Sequence, residues 1–89
     1  MEKTTVVEKA PQGKLYVERL NFKPNDHAVL KAEDDTFYFV IAGYGLMKVD
    51  AYGHNLEQET SVYMPAGTEH ELTNTGDVEL VLVRYGAKS

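Results

Sequence analysis

The stretch Pro65-Ala66-Gly67-Thr68-Glu69-His70-Glu71-Leu72-Thr73-Asn74 decides how this chain folds. Pro65 fixes φ and removes a backbone donor where a strand has to stop, and Gly67 permits the positive φ that a tight turn often needs. The chain then re-enters an extended segment in which His70, Leu72 and Asn74 alternate onto one face.

Working outward, the same punctuation recurs at Pro11-Gln12-Gly13, Pro24-Asn25-Asp26, Glu33-Asp34-Asp35, Gly43-Tyr44-Gly45, Tyr52-Gly53-His54-Asn55 and Thr75-Gly76-Asp77. A turn about every ten residues is the rhythm of an all-β sandwich or barrel. Between the turns, segments 14–22, 27–32, 36–42, 46–52, 61–64, 69–74 and 78–85 are rich in Val, Tyr, Phe, Thr and Leu and are predicted to be strands. None has the three-to-four-residue apolar period of a helix. There is no repeat, linker or low-complexity run, so residues 1–89 read as a single domain, with 1–10 either loose or an edge strand.

The chain has 89 residues, and 9 Lys plus Arg against 14 Asp plus Glu give a formal charge of −5. Such a length allows one modest core that buries roughly 60–70% of the unfolded surface, and no second domain. Without cysteine there is no disulfide, no zinc knuckle and no thiol nucleophile. The acidic balance argues against nucleic acid or an anionic membrane as partner. No apolar run reaches the roughly 18 residues of a membrane span, and the start lacks a signal-type apolar stretch, so a cytoplasmic protein is expected. No G-x-S-x-G elbow or phosphate-cradling glycine loop leading into a helix is present.

Two predicted strands are apolar on both faces. In 36–42, Tyr38 and Val40 share one face while Phe37, Phe39 and Ile41 share the other; in 78–85, Leu80 and Leu82 oppose Val81 and Val83. A barrel interior absorbs only one of these faces. The other is covered either by a second sheet of the same chain or by a partner subunit, and for a cysteine-free domain this small a homodimer is expected.

The segment 65–74 resembles the second motif of the cupin superfamily, which reads Gly, five residues, Pro, any, Gly, two residues, His, three residues, Asn. Pro65, Gly67, His70 and Asn74 stand at the matching spacing, and Glu59 occupies the leading glycine position. Phe37-Tyr38-Phe39-Val40-Ile41-Ala42-Gly43-Tyr44-Gly45 resembles the strand and glycine turn that close the first motif. The resemblance runs from about residue 14 to 85. It implies an antiparallel jelly-roll barrel (double-stranded β-helix) with little or no helix, His70 reaching a central pocket, and homodimers formed by packing or exchanging outer strands.

Metal-binding cupins hold iron, manganese, nickel or zinc with His-x-His, a following glutamate and the second-motif histidine. The family spacing places Thr36 at the glutamate position and Val29 with Lys31, or Leu30 with Ala32, at the two histidine positions. Only His70 survives, and tight sites need three or four protein donors. No metal or other cofactor is therefore expected. The weak alternative is a divalent ion held by His70, His27 and a carboxylate among Glu33, Asp34 and Asp35, which requires a bulge to shift the register. His54 reads as a turn residue.

The residues present suit a different chemistry. If Lys31 and His70 both face the pocket they make a weakly cationic site for a carboxylate or phosphate, with Tyr38, Thr36 and Asn74 as further pocket-binding candidates. Each has a plainer reading: Lys31 reaching to the rim, Tyr38 as core with one satisfied hydrogen bond, and Asn74 holding the turn into Thr75-Gly76-Asp77. The expectation is a barrel of unassigned activity that lacks the four-ligand metal site and binds a small polar or anionic molecule. One alternative is an enzyme, either a metal-dependent oxygenase or isomerase with a rearranged site around His70, or a metal-free isomerase or lyase using His70 with Tyr38 or Lys31. Another is a structural or interaction module whose barrel is filled by Tyr38, Val40, Met47, Met64 and Leu72.

Overall fold

In the computed structural model, which describes residues 1–7 and 15–87, the alternation in the sequence becomes strands β1 (Glu2–Val7), β2 (Leu15–Phe22), β3 (His27–Lys31), β4 (Thr36–Ala42), β5 (Gly45–Val49), β6 (Tyr52–Leu56), β7 (Ser61–Met64), β8 (Glu69–Asn74) and β9 (Leu80–Ala87). They form two antiparallel sheets, one of five strands in the order β1-β2-β9-β4-β7 and one of four in the order β3-β8-β5-β6. The described residues contain no helix, hence none long and apolar enough to cross a membrane.

The all-β barrel expected from the sequence is the fold observed, and its core is the inward row of each strand. Leu20, Phe22, Tyr38, Val40, Met47, Leu56, Leu72, Leu80 and Leu82 are essentially inaccessible. The two-faced strands divide as expected: Tyr38 and Val40 are buried while Phe37 is 39% and Ile41 43% exposed. On the outer side of the five-stranded sheet, Phe37 faces Tyr85 in register and Phe39 faces Val83, so the spare apolar rows of β4 and β9 lie side by side.

Three turns show why the boundaries fall where they do. Gly67 has φ +86, the left-handed conformation its position requires. Gly43 has φ +87, and a Cβ there would also lie 2.4 Å from the Glu79 carbonyl oxygen. Glu59, at the position where the resembled motif carries glycine, has φ 69: the left-handed turn is kept by a residue that pays steric strain for it. Its N–H donates to the Val40 carbonyl at 2.9 Å, which ties the turn to β4.

Some boundaries differ from the sequence reading. Predicted strand 46–52 and the turn Tyr52-Gly53-His54-Asn55 are replaced by a hairpin that turns at Asp50-Ala51, so His54 lies in β6 and not in a turn. Asp50 takes φ 53, which a short polar side chain tolerates, and Gly53 is accommodated because β6 is a sheet edge. The last strand is shifted to 80–87, leaving Val78 and Glu79 outside it. Of the first ten residues, Glu2–Val7 form an edge strand, while 8–14, including the predicted turn Pro11-Gln12-Gly13, lie outside the described residues.

Candidate functional site

The interior of the barrel changes character along its length. β2, β9 and β4 lie side by side, and their inward residues form rows. Leu20, Leu82 and Val40 make an apolar row; the next is Glu18, Arg84 and Tyr38; the one beyond is Tyr16, Gly86 and Thr36. Thus one end of the barrel is lined by hydrocarbon and the other by charge, phenol and hydroxyl. From the facing sheet, β8 contributes His70, 2% exposed, beside Leu30 of β3.

Tyr38 and His70 meet across the barrel, with a 2.6 Å contact between the phenol oxygen and Nε2 and an edge-on ring arrangement. Nδ1 of His70 lies 3.1 Å from the Thr68 carbonyl oxygen, which only accepts, so Nδ1 carries the proton. Nε2 is then an acceptor and the Tyr38 hydroxyl donates to it. Burial pushes His70 below the ordinary histidine value, the Thr68 carbonyl pulls it partly back, and the Arg84 charge depresses it further. Burial likewise raises Tyr38, more than neighbouring Arg84 lowers it. The pair is neutral at pH 7.

Arg84 lies beside Tyr38 and reaches across to Glu18, whose Oε1 accepts from Nε at 3.0 Å and also from Nη2. Lys3 approaches the other Glu18 oxygen at 3.3 Å. Burial alone would raise Glu18, but the hydrogen bonds and charges of Arg84 and Lys3 outweigh it and hold the carboxyl below its usual range. In the outermost row Thr36 donates to the Asp34 carbonyl at 2.8 Å, so the 2.9 Å contact between Tyr16 and Thr36 has the tyrosine as donor.

Of the residues singled out from the sequence, Tyr38, His70 and Thr36 come together at this end. Asn74 is also buried, but four residues along β8 toward the apolar end. Its amide nitrogen donates to the carbonyls of Phe22 and Val78, and its oxygen accepts from the Gly76 N–H, so it holds the β8–β9 turn. Lys31 does not join the site: β3 is regular, Ala28 and Leu30 take its inward positions, and Lys31 is exposed on the outer face opposite Glu69. His27 has the same outward parity, opposite Thr73, so it and His70 stand on opposite faces of the sheet and no bulge in β3 brings them together.

A divalent ion does not fit the residues described. His70 has both ring nitrogens engaged, its neighbours are the Tyr38 phenol, the Thr68 backbone carbonyl and the Arg84 guanidinium, and no group of three His, Cys, Asp or Glu converges among the described residues. The residues missed in the sequence are Glu18, Arg84 and Tyr16. The available signal was parity: Glu18 shares a face with Leu20 and Phe22, and Arg84 with Leu80 and Leu82, placing opposite charges in otherwise apolar rows.

The model of the Cupin_2 family, a cupin domain, matches residues 20–84. Among solved structures, a cupin domain from Bordetella pertussis Tohama I superposes with a TM-score of 0.82 at 21% identity, covering 99% of this chain and 93% of that one. The Cupin_2 domain of an XRE family transcriptional regulator from Enterobacter cloacae gives 0.87 at 13% identity, covering 99% and 95%. A cupin superfamily protein from Desulfitobacterium hafniense gives 0.83 at 13% identity, covering 99% and 77%. These likenesses concern the fold. Among curated proteins, none matches the chain.

Proposed function

The chain belongs to the Cupin_2 domain family, and from that premise we propose that it is a metal-free barrel whose polar end binds a small polar or anionic molecule. The observation that carries this is Arg84. Its side chain points into the barrel and is 16% exposed, so it is largely desolvated yet still reachable. With Lys3 it supplies two positive charges against the one negative charge of Glu18, 2 − 1 = +1, in a chain whose net charge is −5. Arginine in such a setting binds oxyanions through its fork of N–H donors. Arg84 takes the part that Lys31, being outside, does not.

The measurement is a thermal-shift titration with small anions and uncharged polyols. Anions raise the melting temperature of the unmodified protein and leave that of Arg84→Gln where it was. Should no compound raise it, the barrel is a filled structural or interaction module. That second reading is favoured by the packing of Tyr38, Val40, Met47, Met64 and Leu72, all buried in one cluster. The same packing weighs against a catalytic use of His70 and Tyr38, since both are nearly inaccessible.

The partner we propose is a second copy of the chain on the outer face of the five-stranded sheet. There Phe37 stacks on Tyr85 with centroids 5.5 Å apart and packs against Tyr63 at 5.1 Å, next to Phe39, Ile41 and Val83. On the outer face of the four-stranded sheet Lys31 faces Glu69 and Lys48 faces Glu71, with exposed Val29 opposite Glu71. The aromatic cluster on the five-stranded sheet, against these charged pairs on the other, supports association through the first.

A further inference from the structure

The Arg84 site already contains an oxyanion, and that oxyanion belongs to the chain. Glu18 approaches the Nε and Nη2 edge of Arg84 with a single oxygen, while its second oxygen is met by the ammonium of Lys3, a side chain 51% exposed. We propose that Glu18 holds, on Arg84, the place of an external carboxylate, and that small monocarboxylates are the ligands of this site. The inference rests on the reading that the polar end of the barrel takes a small anion, and it names the class of that anion and the residue that competes with it.

Three observations carry it. First, the hold on Glu18 is one-sided, because an ion pair with an exposed lysine adds little. Second, the side chain of Glu18 is 14% exposed and lies on β2 beside edge strand β1, in the charged row that adjoins the apolar one, so its carboxylate can swing to water while Leu20 and Leu82 keep their places. Third, charge selects the replacement. A guanidinium this desolvated needs an acceptor in place of the one it loses, which a negatively charged planar group supplies along the same edge. The exchange puts one carboxylate in the place of another, so Arg84 and Lys3 meet a single negative charge of the same planar shape before and after it. Tyr38, fixed by His70, lies beside the guanidinium and keeps its position during the exchange.

NMR titration of the full chain with acetate and, separately, inorganic phosphate, read at the Arg84 Nε–H resonance, tests this in the unmodified protein and in Glu18→Gln. The glutamine keeps an oxygen that accepts from Arg84 and removes the competing charge. Acetate is expected to bind Glu18→Gln about ten-fold tighter, the scale of one unit charge a few Å away in a partly exposed site. Equal acetate affinities overturn the proposal and leave the anion-binding reading standing; no response to either anion in either protein overturns both. Phosphate binding tighter than acetate overturns the carboxylate class. A second readout needs no variant: at saturating acetate the Glu18 carboxyl carbon titrates closer to an ordinary glutamate, and an unchanged titration overturns displacement.

Discussion

The hydroxyl of Tyr38 and Nε2 of His70, carried on β4 and β8 in facing sheets, meet at 2.6 Å in the interior of the barrel. This contact joins the two sheets through polar atoms, as does the Asn74 amide nitrogen of β8 that donates to the Phe22 carbonyl of β2. Removing the hydroxyl with Tyr38→Phe leaves a buried nitrogen without a donor and is expected to cost about 1–3 kcal/mol in urea unfolding. A double-mutant cycle with His70→Gln should return a coupling of about 0.5–3 kcal/mol. Additive single effects would show that the two groups do not support each other.

Protonation of His70 should weaken the fold. The folded state holds its pKa below the ordinary value of 6.5, so the unfolded chain binds the proton first as pH falls. The stabilising neutral form is fully present above about 6.5, and stability declines below that as pH drops toward the depressed folded value. Glu18, also depressed, adds a second loss at lower pH, beginning near the ordinary carboxyl value of 4.5 and continuing down toward its lowered folded value. Unfolding free energy measured from pH 7.5 to 5 should fall in the unmodified protein and stay flatter in His70→Gln. A parallel decline in both assigns the effect elsewhere.

The left-handed turns separate strain from close approach. A methyl at Gly67 would have nothing within 4 Å, so Gly67→Ala meets only the φ penalty, about 1 kcal/mol. At Gly43 the same substitution also drives a methyl against the Glu79 carbonyl, and a clearly larger loss is expected. Glu59→Gly should act the other way and stabilise by roughly 0.5–1 kcal/mol, because glycine relieves the strain at φ 69. Chemical denaturation of the three variants checks the ranking; a destabilised Glu59→Gly contradicts it.

The aromatic patch predicts assembly. Sedimentation of the unmodified protein should give a species near twice the 10.0 kDa chain mass, and Phe37→Glu, at an exposed position, should give the single-chain mass with an unchanged β-sheet circular dichroism spectrum. A monomer at all concentrations for the unmodified chain removes the proposed partner.

What was legible in the sequence follows the range over which each signal acts. Pro65, Gly67 and the alternation of His70, Leu72 and Asn74 are local, and they located β8 and its inward face correctly. The buried Tyr38 row and the spare Phe37 row were equally local, since strand period fixes both. The hairpin at Asp50-Ala51 was hidden because Gly53-His54-Asn55 carries stronger turn composition, yet sits in an edge strand that tolerates it. Family spacing points Lys31 at the pocket, whereas Leu30 takes the inward position on β3 by hydrophobicity. Glu18 and Arg84, 66 residues apart, become a pair only once β2 and β9 are neighbours, a fact of topology that no local pattern contains.

The proposed metal-free barrel requires that His70 serves Tyr38 and not a metal ion. The most direct measurement is the ring-nitrogen NMR spectrum of His70 in protein purified without chelator, recorded before and after addition of zinc. The account predicts a neutral ring with the proton on Nδ1, Nε2 accepting a hydrogen bond, and no change with zinc. A ring nitrogen shifted to a metal-bound position, in the protein as purified or with stoichiometric zinc, would contradict it.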